Sequence, residues 1–171
     1  MDRAALQTLQ APLKQRYRDE PAAALVTLTA TGTLDDEITC SVQTGRALAT
    51  AGLHPATGGD GLALCSGDML LEALVACAGV TLRAVATALE IPVEGGTITA
   101  DGQLDFRGTL GVDRDAPVGF REIALRFALD APGASEEQRA TLLKLTERYC
   151  VVLQTLRTAT PVQATLAATQ G

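Results

Sequence analysis

The chain has 171 residues, 47% of them hydrophobic and 20% charged, a balance that argues against intrinsic disorder in a chain long enough to bury a core. The formal net charge of −6 repels phosphate backbones, so nucleic-acid binding is not expected. Aromatic residues make up only 3% and Trp is absent, so Ala, Leu and Val must do the packing.

Residues 2–19 carry Leu6, Leu9 and Leu13 at helical spacing, and Pro21 ends the pattern, so residues 1–20 are expected to form an N-terminal helical extension. Residues 21–171 are then expected to form a single domain. The segment 24–31, ALVTLTAT, reads as a strand, GTLDDE at 32–37 as a turn, and ITCSVQT at 38–44 as a second strand of the same hairpin. Residues 45–65 read as irregular, with HPATGGDG at 54–61 marking a loop.

Ser66 is a candidate N-cap, and Asp68 falls in the first turn, where a negative charge suits the helix dipole. The helix that follows is expected to run to about Glu90, before Pro92. Its apolar residues occupy nearly every face, which predicts burial in a core or at a subunit contact. Residues 96–107 and 120–130 read as strands, the second alternating through Ile123, Leu125, Phe127 and Leu129. SEEQ at 135–138 fits a capping box opening a helix that reaches at least Tyr149. The pattern leaves open whether that helix continues through Cys150 to Arg157. PVQATLA, from Pro161 onward, reads as a last strand. Strands and helices in this order predict an α+β fold.

The longest apolar segment, near 69–91, is interrupted by Glu72, Arg83 and Glu90, so no membrane span is expected. The opening MDRAALQTLQAPLKQRY lacks the apolar core of a signal peptide, which points to a cytoplasmic protein. Four cysteines in that setting are expected to be reduced or redox-active rather than structural disulfides. A single histidine, His54, argues against a zinc site built on several histidines. Taken alone, Cys77 in LVACAGVTL is a small hydrophobe on a buried helix. Cys150, in ERYCVVLQTL, lies 73 positions away, so any pairing of the two must be made by the fold. A functional pairing would use one thiol as the peroxidatic sulfur and the other as the resolving one.

The segment SGDMLLEALVACAGVTLR (66–83) resembles the cysteine helix of the OsmC/Ohr superfamily, and HPATGGDG (54–61) resembles the Gly-rich loop before it. Cys150, followed by Val151 and Val152, resembles the family's second cysteine. The resemblance spans roughly residues 24–168. It implies an intertwined homodimer whose curved antiparallel sheets wrap central cysteine-bearing helices. It also implies a thiol peroxidase that reduces organic hydroperoxides or hydrogen peroxide, uses an external dithiol reductant and needs no metal or organic cofactor. Cys77 and Cys150 take the two cysteine positions.

The family's Glu is matched by Asp68, nine positions before Cys77. That spacing puts it out of reach of the thiol on its own helix, though not of a thiol in the other subunit. Compensation of the helix terminus is the plain alternative role for Asp68. The family's Arg is absent from the turn GTLDDE, which leaves Arg46 as the nearest substitute, with Arg83 and Arg148 as others. Glu72 is a charge on a very apolar helix and would pair with an Arg of the same site. Val151 stands where the family places a Pro that favours a helix start. Cys40 reads as packing in its strand, Cys65 as a possible third redox thiol, and His54 as a loop residue that could line the site. The alternative to a peroxidase is a small-ligand-binding or redox-sensing protein of the same fold.

Overall fold

The computed structural model describes residues 2–20, 32–34, 39–43, 48–111 and 113–166. Helix α1 spans Arg3–Asp19, and the short strands β1 (Gly32–Leu34), β2 (Thr39–Gln43), β3 (Leu48–Gly52) and β4 (Leu64–Cys65) follow. The long helix α2 (Ser66–Leu89) leads to β5 (Gly95–Gln103), a one-turn helix α3 (Phe106–Thr109) and β6 (Glu122–Asp130). Helices α4 (Glu136–Tyr149) and α5 (Val151–Arg157) close the described fold. The α+β class is the one expected.

One sheet has the order β1-β2-β3-β4, antiparallel except for the parallel contact of β3 with β4. The other is the antiparallel pair β5–β6. In that pair Ile98 lies opposite Phe127, and Ala100 opposite Leu125. These four share one face and pack against the middle of α2, α5 and the residues around Cys150. Gly79 lets the sheet come close, because a Cβ there would stand 3.3 Å from the end of Ile98.

Helix α2 organises both parts of the core. Leu74, Ala78, Leu82 and Ala86 recur every four residues and are its buried stripe. Leu74 and Ala78 join Cys150 and Leu153 in one cluster, while Leu82 and Ala86 join Ile91, Ala131, Ala134 and Leu142 in the other. Each fully buried leucine contributes about 1.5–3 kcal/mol. The helix closes at Glu90 in the left-handed region (φ 56°), with the Ile91 N–H on the Ala86 carbonyl and Ile91 itself buried. Arg3 of α1 pairs with Glu90 at 2.6 Å and helps hold α1 on α2.

Several expectations need correction. Gly32–Leu34 is strand rather than turn, because it pairs with Cys40–Val42 of β2. The expected strand at 24–31 lies outside the described residues. The region expected to be irregular contains β3 and β4, and residues 55–57 form a turn of 3-10 helix. The N-cap of α2 is Cys65, one residue before Ser66, and its side chain makes no capping bond. Residues 161–166 form no strand. Within this chain α2 buries the stripe and half-buries residues such as Cys77 and Val85, while Leu70, Val80 and Leu89 are exposed, Val80 to 73%. By length and composition alone α2 could cross a membrane, despite the charges that argued otherwise, but its stripe is packed against α4, α5 and β5. The capping box at Ser135 and Gln138 is formed with both reciprocal bonds.

Candidate functional site

The chain does not run as one helix from Glu136 to Arg157. Cys150 takes an extended conformation (φ −71°, ψ 107°), ending α4 and serving as N-cap of α5. The break is braced from both sides. The Cys150 N–H closes on the Thr146 carbonyl at 2.9 Å, and its carbonyl accepts the first bond of α5 from Gln154 N at 2.9 Å. The Gln154 side chain reaches back to the Glu147 carbonyl at 2.7 Å, and Arg157 reaches the Glu147 carboxylate at 3.3 Å. The effect is to free the N–H groups of Val151 and Val152, which would have been spent on carbonyls in a continuous helix.

Those N–H groups stand at the start of α5, where Val152 packs against the cluster that also holds Cys77, and they favour its ionisation. The thiol sits mid-way along α2, half-buried, with Cys150 and Val152 in the same cluster. Burial is the largest single influence on its acidity and opposes ionisation. The Val152 N–H, the Cys150 thiol, the Val151 N–H and the Thr81 hydroxyl act the other way, and together they hold Cys77 below the ordinary thiol range. The start of α5 thus supplies oriented partial positive charge where a thiolate needs it.

Cys150 is shifted oppositely. It is fully buried (0% exposed), and burial is the main reason its thiol is pushed up. The Leu153 and Val152 N–H groups favour its ionisation, but a neighbouring Cys77 thiolate disfavours it both as a hydrogen-bond partner and as a like charge. The two thiols pack in one cluster, and ionisation falls first on Cys77. Both are free thiols here.

A cavity of about 330 Å³ lies beside them. Its apolar side is lined by Leu74, Phe120, Ile123, Leu125, Phe127, Leu153 and Leu156; of these, Leu74, Ile123, Leu125, Phe127 and Leu153 also pack around the cysteines, neither of which lines the cavity. Arg121, Glu122, Glu147 and Arg157 supply its polar side. The hydroxyl of Thr146, one turn before Cys150, is fully buried and has no hydrogen-bond partner among the described residues.

The other expected residues are spread out. Asp68 is exposed in the first turn of α2, and Glu72 is exposed one turn later. They precede Cys77 by nine and five positions, so within this protomer helix geometry carries both away from the thiol. Arg46 lies outside the described residues. Arg83 donates to the Val93 carbonyl at 2.6 Å, and Arg148 stacks over the Tyr149 ring, so neither is engaged with the thiols. Cys65 stands twelve positions before Cys77 on the axis of α2, about 18 Å away. The backbone of Cys40 pairs with Ala51 in β2–β3. His54 holds a local turn: its Nδ1 accepts from the Ala56 N–H at 3.0 Å, and its ring stacks on Phe106. Sequence reasoning missed the donors to Cys77. The Val151 and Val152 N–H groups leave no side-chain signature, whereas the i, i+4 spacing of Cys77 and Thr81 was there to be read.

Comparison with known proteins fits this geometry. The model of the OsmC-like protein family matches residues 58–165, which include both cysteines. Among solved structures the chain is similar to an OsmC-like protein from Mycoplasma pneumoniae, with 19% identity over 78% of this chain and 89% of that one and a TM-score of 0.66. It is similar to an organic hydroperoxide resistance protein OsmC from Legionella pneumophila, with 18% identity over 78% and 91% of the two chains and a TM-score of 0.59. The organic hydroperoxide resistance protein OhrB of Bacillus subtilis is also similar, with 18% identity over 80% and 94% and a TM-score of 0.53. No curated protein sequence matches the chain.

Proposed function

The chain belongs to the OsmC-like protein family, and from that premise we propose that it is a cysteine-based peroxidase acting on organic hydroperoxides. The observation that carries this reading is the pair of adjacent thiols with opposite shifts, Cys77 made more acidic and Cys150 less. A nucleophilic thiol must be ionised to attack, and its resolving partner should remain a thiol until an electrophilic sulfur forms beside it.

In the proposed cycle the Cys77 thiolate attacks the terminal oxygen of the hydroperoxide. The O–O bond breaks, sulfur is oxidised to the sulfenic acid, and the alkoxide leaves and takes up a proton as the alcohol. The Cys150 sulfur then attacks the Cys77 sulfur, forming a disulfide and releasing water. An external dithiol supplies the two electrons that restore both thiols. The apolar wall beside the cysteines supports a hydrophobic substrate over hydrogen peroxide. The exposed Leu70, Val80 and Leu89 on α2 support a homodimer that would cover them, in which Asp68, Glu72 or Arg46 of one copy could meet the thiols of the other. A cytoplasmic setting would supply the reductant and keep the cysteines reduced.

A second reading, a ligand-binding protein with passive thiols, draws on one observation: among the described residues no arginine is engaged with Cys77. One assay separates the two. Purified protein with an alkyl hydroperoxide and a dithiol should consume peroxide, and the Cys77→Ser variant should not. Equal consumption by both proteins would remove the peroxidase reading.

A further inference from the structure

We propose that the cavity between β6, α2 and α5 is a binding site for a medium-chain aliphatic carboxylate, with Arg121 receiving the acid group. Its volume of about 330 Å³ falls within the range of small-molecule sites. Ile123, Leu125 and Phe127 alternate along β6, line the cavity with one face and pack against the cluster of α2 and α5. Arg121 stands two positions before Ile123, so the same alternation puts it at the head of that apolar row. Its N–H on the Gln103 carbonyl, at 2.8 Å, holds its backbone there. Phe120 joins the wall because Gly102 has no side chain: a Cβ there would stand 2.3 Å from the ring.

The charges around the cavity differ in how firmly they are engaged. Elsewhere in the chain Arg3 and Arg107 each hold a carboxylate at 2.6 Å. At the cavity Arg157 reaches Glu147 at 3.3 Å, and these two answer each other's charge. Arg121 comes only to 3.9 Å from Asp105, a carboxylate that Arg107 already engages through two side-chain nitrogens. A separation of 3.9 Å is too long for a hydrogen bond. The Arg121 guanidinium therefore keeps its fork of N–H donors for another carboxylate, whose two oxygens it matches. Glu122 also lines the cavity, but it belongs to the alternate face of the strand. A cation heading an apolar row fits an anion with an aliphatic tail. An uncharged alkyl compound would leave Arg121 unused, and a short acid would leave the leucines and phenylalanines uncovered.

Neither cysteine lines the cavity, although Leu74 and Leu153 of its wall pack on Cys150. The occupant carries no peroxide group, so the inference does not rest on the peroxidase reading. Its test is calorimetric titration of the whole protein with octanoate, which should saturate one site per chain. Octanol, which lacks the charge, should bind about tenfold more weakly, and acetate, which lacks the tail, should not saturate over the same range. Arg121 is exposed, so Arg121→Gln should fold. It should weaken octanoate about tenfold, the scale of a lost hydrogen bond to a charged group. Arg126→Gln, on the other face of β6 where Arg126 pairs with Asp101, should leave octanoate binding unchanged. No saturable octanoate binding, octanol binding as tightly as octanoate, or Arg121→Gln and Arg126→Gln binding octanoate alike would each overturn the proposal. Cys77→Ser should bind octanoate like the wild type while losing peroxide turnover, so each reading fails on its own measurement.

Discussion

The two cysteines of the candidate site occupy opposite kinds of backbone. Cys77 is inside a continuous helix of 24 residues, where its own N–H and carbonyl are committed and only its side chain is available. Cys150 sits in a gap between two helices, where the backbone itself is the reagent, since its extended conformation turns the start of α5 toward Cys77. The more exposed thiol is thereby made acidic by groups belonging to its neighbour's segment, and the fully buried one is kept a thiol. The lesson is that one backbone break both brings the sulfurs together and makes them unequal.

The largest effect should come from removing the acidic member. Cys77→Ser should lower peroxide turnover by about a thousandfold or more, as loss of a nucleophile does. Cys150→Ser should consume about one equivalent of peroxide and then stall, leaving a sulfenic acid on Cys77 that a dimedone-type reagent traps. Sustained turnover by Cys150→Ser with dithiol present would place resolution elsewhere. Leu74→Ala, at the contact between α2 and the Cys150 cluster, should destabilise the fold by about 2–5 kcal/mol in denaturant titrations. Val151→Pro tests the break more finely. Proline suits the first position of α5 and the extended residue before it, so stability should hold. One N–H donor to Cys77 is lost, so alkylation of Cys77 at pH 6 should slow about threefold.

The smallest effect concerns a loop beyond the two cysteine clusters and shows what a single partner does. Arg107 beside Asp105, at 2.6 Å, holds that carboxyl down at about 2. A carboxylate depressed in the fold contributes its stability above the unfolded value near 4, and loses it as pH falls through about 2. Asp105→Asn should therefore match the wild type below pH 2 and be slightly less stable at pH 5 in thermal unfolding.

Much of this was legible in the residues. The apolar run of α2, the alternation in β6 and the Ser135–Gln138 box are strong local signals, and each forms the expected element. β3, LATAG, was not legible because small residues at four of its five positions give no alternation to read. β4 exists only because the start of α2 is carried alongside β3, which is a tertiary event. The one-turn α3 could have been found from Asp105, whose side chain accepts from the Arg107 N–H as an N-cap. The break at Cys150 carries neither Gly nor Pro, so ERYCVVLQTL fits one helix or two equally well. The two cysteines were singled out by type and by family resemblance, but the N–H groups that distinguish them are backbone, which no residue letter records.

The most direct measurement is a peptide map of the protein after one equivalent of an alkyl hydroperoxide, under conditions where remaining free thiols are blocked at once. The account predicts a Cys77–Cys150 disulfide as the dominant product, with Cys65 and Cys40 blocked as free thiols. Oxidation that leaves Cys77 and Cys150 unlinked, or that falls first on Cys65 or Cys40, would contradict it.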